Sequence, residues 1–139
     1  MDIQTRIDAY IAGLPPPRRD DLQALHSRIR ALAPDARLWF LDGRNEAGKV
    51  VSNPNIGYGA QVLSRAGGDR EFYRLGLSAN TSGLSLYVMG LPDKTYLART
   101  WGERIGKAKV TGYCVAFARL ADLDPAVLDE LIRDHLAQD

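Results

Sequence analysis

Residues 56–89 read IGYGAQVLSRAGGDREFYRLGLSANTSGLSLYVM. Apolar and polar side chains alternate through three runs, 56–65, 70–78 and 84–89. A period of two is the mark of strands with one buried and one open face. The segments between the runs, Ala66-Gly67-Gly68-Asp69 and Asn80-Thr81-Ser82-Gly83, carry turn chemistry. The first exceeds the tight two-residue hairpin loop. Short turns between neighbouring strands make this part of the sheet antiparallel.

Pairing the first two runs across their loop sets Arg65 opposite Arg70, Leu63 opposite Phe72, Gln61 opposite Arg74 and Gly59 opposite Gly76. One face then carries Tyr58, Ala60, Val62, Tyr73, Leu75, Leu77, Leu84, Leu86 and Val88, the expected core. The other carries Gly57, Gly59, Gln61, Arg65, Arg70, Phe72, Arg74, Gly76, Ser78, Ser85, Tyr87 and Met89. Cys114 and Ala116 join it if Val115 and Phe117 point inward. A slip of one residue would exchange the faces.

Helices flank this block. Ile3, Ile7, Tyr10, Ile11 and Leu14 recur at helical spacing over 3–13, and Gly13 with Pro15-Pro16-Pro17 stops the run. A second helix is expected over 17–33, with Leu22, Leu25, Ile29 and Leu32 as its stripe and Asp20 and Asp21 in its first turn. Strands are expected at 37–41, at 112–118 and briefly at 49–52; Asn53-Pro54-Asn55 breaks the last of these. Residues 92–105 read as a helix with Gly106 as its C-cap. A final helix starts at Asp124-Pro125, a cap followed by proline at the first helical position. The order predicts a single α+β domain over residues 1–139, an antiparallel sheet of about five strands with helices packed on one face.

At 139 residues the chain is long enough to bury a core without staples. Lys and Arg number 18 against 17 Asp and Glu, and the net charge of +1 gives no global attraction to nucleic acid or to an anionic membrane. Neither partner is expected, and no apolar run approaches membrane-spanning length. Cys114 is the one cysteine, so an internal disulfide and a thiolate cluster are both excluded. A soluble, cytoplasmic protein is expected.

Catalytic chemistry is poorly represented. His26 and His135 fall on helix faces beside apolar stripes and read as packing residues. Cys114 sits among Tyr113, Val115 and Ala116 and reads as an inert thiol. No G-x-S-x-G elbow occurs. Gly57-Tyr58-Gly59 opens a strand rather than a helix, so it lacks the phosphate-binding mechanism of a helix N-terminus. Gly106-Lys107-Ala108-Lys109 is either an anion-binding turn or a solvated basic one. Asp122, Asp124, Asp129, Glu130, Asp134 and Asp139 crowd the C-terminal segment. Asp122 and Asp124 are explained by a turn and a cap, and Asp129 and Glu130 by an exposed helix face. No catalytic set and no cofactor are expected.

The open face is the remaining candidate. Glycine inside a strand often marks close approach by a ligand or another backbone. Gly57, Gly59 and Gly76, edged by Arg74 and Tyr87, would form a shallow floor with a cationic rim. The alternative is an ordinary solvated face whose glycines serve twist or bulges.

Several segments resemble the YdhG-like bacterial family, a domain of unknown function. They are Ile7-Asp8-Ala9-Tyr10-Ile11, Leu14-Pro15, Leu22 through Ala33-Pro34-Asp35, Ile56-Gly57-Tyr58-Gly59, Leu75-Gly76-Leu77-Ser78, residues 84–89, Gly106-Lys107-Ala108-Lys109 through Cys114, and residues 119–124. The resemblance covers nearly the whole chain through order and spacing rather than one sharp motif. It implies a compact domain with a sheet comparable to the frataxin and YjbR-like folds, and some related proteins are described as iron chaperones. Two departures stand out. Val110-Thr111-Gly112 replaces the Thr-Gly-Lys step that often follows the G-K-x-K turn, removing a third cation. Arg6, Arg18 and Arg19 interrupt what would be a frataxin-like acidic ridge.

Three functions are therefore expected in order. The first is a non-enzymatic binding or adaptor module, docking a protein (another copy included) or a small anion through Gly57, Gly59, Gln61, Arg74, Gly76, Tyr87 and Met89, with Lys107 and Lys109 at the rim. The second is weak ferrous-iron binding by Asp129, Glu130 and Asp134. The third is an enzyme for a small anionic substrate, for which no proton-transfer group is nominated.

Overall fold

The computed structural model describes residues 2–65 and 67–136. The N-terminal pair of helices is α1 (Ile3–Ala12) and α2 (Arg18–Leu32). Asp2 caps α1 by accepting from the Thr5 N–H at 2.7 Å. Strands β1 (Leu38–Leu41), β2 (Asn55–Tyr58), β3 (Gln61–Arg65), β4 (Gly68–Phe72), β5 (Leu75–Asn80) and β6 (Gly83–Val88) follow. Helix α3 (Tyr96–Trp101), strands β7 (Lys109–Thr111) and β8 (Cys114–Phe117), a single 3-10 turn and helix α4 (Pro125–Leu136) complete the chain.

The protein is α+β. Its main sheet has six antiparallel strands in the order β1-β2-β5-β6-β8-β7, and β3 and β4 form a separate two-stranded sheet. Pairing aligns one continuous buried row, Ile56 opposite Leu77, Leu77 opposite Leu86, and Leu86 opposite Val115, with the half-buried Phe40 opposite Ile56 at its edge. These side chains share one core cluster with Ile7 and Ile11 of α1, Leu22, Leu25 and Ile29 of α2, Leu97 and Trp101 of α3, and Leu128, Leu131 and Ile132 of α4. The helices cover that face, and the alternation of β2, β5, β6 and β8 is the one expected.

Five expectations are corrected. The runs 56–65 and 70–78 are not continuous strands, because each is interrupted where β2 gives way to β3 and β4 to β5. The hairpin register is shifted by two residues: Gln61 faces Phe72, and the ladder closes as far as Arg65 opposite Gly68. Val62 is 66% exposed on this hairpin rather than buried beneath the helices. Residues 49–52 form only an isolated bridge, Arg44 with Val50, because the Gly43 carbonyl gathers the Val51 N–H (2.8 Å) and the Ser52 N–H (3.2 Å) into a loop. Helix α3 is much shorter than 92–105, since Asp93 binds the Thr95 N–H at 2.8 Å and its hydroxyl at 2.6 Å, holding an Asx turn before the helix starts. The edge strand β7 was not foreseen; three residues are too few to show a period.

The start of α4 meets the expectation. Asp124 Oδ1 accepts from the Ala126 N–H (3.0 Å) and the Val127 N–H (3.2 Å), with Pro125 at the first position. Asp21 of α2 receives Arg119 Nε at 2.7 Å and the Leu120 N–H at 3.1 Å, tying α2 to the segment before α4. The hydrogen bond from Arg119 holds the Asp21 carboxyl below its ordinary range.

Inside the helix–sheet layer, His26 Nδ1 and the Tyr58 hydroxyl share a hydrogen bond of 2.6 Å. His26 is 4% exposed and Tyr58 is fully buried. Burial lowers the His26 pKa, with the Arg30 charge adding to the shift and Asp8 opposing it; burial raises that of Tyr58. Both groups are thus neutral in the core. Protons therefore bind the unfolded His26, whose pKa is about 6.5, before they bind the folded one. The His26 contribution is complete above that pH and is lost as pH falls toward the depressed folded value. Thermal melts between pH 7.5 and 5.5 should show the melting temperature dropping below about pH 6.5, and His26→Gln should flatten this part of the profile. A wild-type profile that is level across the window would refute the assignment.

Candidate functional site

The register sets two rows across the outer face of the main sheet. One runs Trp39, Gly57, Gly76, Tyr87, Cys114, Thr111. The other places Ser78, Ser85, Ala116 and Lys109 side by side. The sequence-predicted Gly57, Gly76 and Tyr87 do come together here, and Lys109 joins them on the same face.

The glycine floor is already occupied. The Tyr73 ring lies directly on it, so closely that a Cβ on Gly76 would sit 2.6 Å from ring atoms Cε1 and Cζ, and a Cβ on Gly57 2.6 Å from Cδ2. Tyr73 is 4% exposed, stacks on Phe72 at 4.1 Å between centroids, and donates from its hydroxyl to Asn55 Oδ1 at 3.3 Å. Phe72 meets Trp39 edge-on at 6.1 Å, and Arg37 lies 4.0 Å over the Trp39 ring. The inference that glycine marks a close approach was sound, but the approaching group is the chain's own. This corrects Gly57 and Gly76 as parts of an open docking floor, and Tyr73 as a residue of the helix-covered face. Burial pushes the Tyr73 phenol up to about 12, and the neighbouring Tyr87 adds to the shift.

The remaining predicted residues divide by role. Gly59 turns the chain out of β2 with φ +79°, donates its N–H to the Arg37 carbonyl at 2.8 Å and accepts from Trp39 Nε1 at 2.7 Å. Its work is in the backbone. Gln61 donates from Nε2 to the Tyr73 carbonyl at 3.1 Å and packs against Gly90, where a Cβ would displace its amide. Arg74 is half-buried; its N–H donates to the Tyr58 carbonyl and its carbonyl accepts from Met89 N–H, both at 2.9 Å. Met89 lines a separate shallow cavity of about 200 Å³ with Leu63, Leu91 and Tyr113. Lys107 is exposed on the turn before β7, its N–H donating to the Asp122 carbonyl at 2.9 Å. The Arg65 side chain and Asp139 lie outside the described residues.

The other end of the outer face is also partly closed. Ser78 donates to the Pro54 carbonyl at 2.8 Å, and Asn80 Nδ2 donates to Ser85 Oγ at 3.3 Å, so both serines are buried. What stays accessible is the half over β6, β8 and β7. Tyr87, Cys114 and Ala116 are half-buried there, and Lys109 and Thr111 are exposed. The outward positions of these strands carry one cation and no carboxylate.

Burial raises the Cys114 pKa, opposed by a hydrogen bond with Ser85. Cys114 is therefore a thiol at neutral pH rather than a nucleophilic thiolate. The carboxylates proposed for iron do not converge. Asp129 is held by Arg28 at 2.5 Å and Glu130 by Arg104 at 2.5 Å. Among the described residues no group of three His, Cys, Asp or Glu side chains is placed to hold a metal ion.

Comparisons with protein-family models, with curated proteins and with solved structures gave no match. The site must therefore be read from its own chemistry. Sequence reasoning missed Tyr73, Phe72 and Trp39 as the residues that close half of the face. One signal was present: Phe72-Tyr73 puts two aromatic rings in succession, which a strictly alternating strand would send to opposite faces.

Gly76→Ala should cost about 1–3 kcal/mol through overpacking against the Tyr73 ring. Urea denaturation monitored by circular dichroism measures it. A loss under about 0.5 kcal/mol would show that the ring is not confined.

Proposed function

We propose that this protein is a non-enzymatic binding module that docks an acidic partner protein on the outer half of the sheet formed by β6, β8 and β7. The supporting observation is the accessible patch of Tyr87, Cys114, Ala116, Thr111 and Lys109, whose outward positions bear a cation and no carboxylate. A half-buried tyrosine supplies apolar area with few rotamers to freeze, and a lysine at the rim steers an anionic surface. Lys107 stands on the turn leading into the same edge and adds charge there. The neutral Cys114 thiol, the buried neutral His26 and the ion-paired Asp129 and Glu130 favour binding over catalysis or iron handling.

Membership of the YdhG-like family, with its frataxin-like arrangement, belongs to this proposal. It rests on the order and spacing of the segments from Ile7-Asp8-Ala9-Tyr10-Ile11 to residues 119–124, and on the α+β architecture. A cytoplasmic setting accords with the single unpaired thiol. Among the described residues no helix is long and apolar enough to cross a membrane.

The test is Tyr87→Ala combined with Lys109→Glu. Both positions point outward, so the melting temperature should fall by no more than a few degrees. Partner capture by the tagged protein should be lost, and any self-association seen by sedimentation should be lost with it. Titration with citrate and with inorganic phosphate separates a small-anion site, which would bind these directly. Unchanged capture by the folded double variant would leave this patch without a role.

A further inference from the structure

The β3–β4 arm is a sheet of its own, yet it continues the β2–β5 pair in the same register. Tyr58 faces Leu75 on one side of the interruption and Gln61 faces Phe72 on the other. Equal numbers of residues separate them on both strands, so the break is a bend without an inserted residue. At the bend Phe72 and Tyr73 stack, with 27° between their planes, instead of diverging. The Tyr73 ring then seats on Gly57 and Gly76, two strands that belong to the main sheet.

Among the described residues the arm also meets the body where Gln61 packs against Gly90 and where Leu63 lines a shallow cavity with Met89, Leu91 and Tyr113, but no ring is buried at either place. The Arg37–Glu71 ion pair is 2.5 Å long, but its side chains are 52% and 55% exposed, where such pairs hold little. Phe72 touches Trp39 only by an edge. Gln61 spends its amide on the Tyr73 carbonyl, inside the bend itself. A two-stranded hairpin is at best marginally stable alone in water. The arm's order therefore depends on how it is fastened.

We infer that Tyr73 is a latch. Seated, it pins the arm to the outer face and fills a ring-shaped slot floored by Gly57 and Gly76. Unseated, it frees β3 and β4 to open as a unit and exposes the slot beside Tyr87. This goes beyond the binding reading and holds whether or not the β6–β8–β7 patch docks a partner.

Native-state hydrogen exchange on the whole chain, read by mass spectrometry over a series of low urea concentrations, tests it. In the wild type, amides of residues 61–65 and 68–72 should exchange through an opening that depends little on urea. Those of β5 and β6 should exchange only through a strongly urea-dependent one. Tyr73→Phe keeps the ring and should keep this pattern. Tyr73→Ser should speed arm exchange tenfold or more while leaving β5 and β6 protected. The latch is refuted if the arm and β5–β6 share one urea dependence in the wild type, or if Tyr73→Ser accelerates both equally or neither. Should Tyr73→Ser not fold, the wild-type urea series decides alone.

Discussion

Residues opposite one another on paired antiparallel strands share a face, and this constraint organises the molecule. Burying Leu77 buries its partners Ile56 and Leu86, and through Leu86 also Val115. One commitment to the helix-covered side is thus transmitted across four strands. Each of these side chains is at or near zero exposure, and each loses its solvent-excluded neighbours if the register slips. The helices meet this row with their own stripes, and the Asp21–Arg119 contact fixes α2 against the segment leading to α4. His26 and Tyr58 are a polar pair within this layer. They are tolerated because each satisfies the other and both remain uncharged.

The same register that makes one face a core places glycine opposite glycine on the other. Gly57 against Gly76 leaves a strip of bare backbone, and bare backbone in a strand is costly unless something packs on it. Tyr73 does so from within the chain, reaching the strip because the hairpin bends at Gly59 and at Tyr73–Arg74. The β1–β2–β5 half of the outer face is roofed by Trp39, Phe72 and Tyr73, and the proposed docking is confined to the half that those rings do not reach.

The titratable side chains bear on the proposed binding role. His26 is buried and neutral, Cys114 is a half-buried thiol, and Asp129 and Glu130 are committed to ion pairs. A proton-transfer site needs a group left in reach of a reacting atom. The outer face offers an aromatic ring, small side chains and a lysine, the means of contact that the proposed binding uses.

How much of this was legible in the sequence depends on the range of the physics involved. The alternation of Leu75, Leu77, Leu84, Leu86 and Val88, the stripes of α1 and α2, and the Asp124-Pro125 start of α4 were legible because each arises within a few residues of chain. The assignment of glycine to a close approach was legible for the same reason. The occupant was not. Val62 lies outside because the arm diverges from the main sheet, and Tyr73 crosses to the outer face because a bend interrupts the alternation. The short strand β7 exists only by pairing with β8. The sequence by itself determined which side chains repeat with which period, since that follows from backbone geometry. Only the tertiary structure decided which ring fills the gap above Gly57 and Gly76 and which part of the outer face remains open. Those outcomes depend on where distant strands bend toward one another, and no local pattern encodes that.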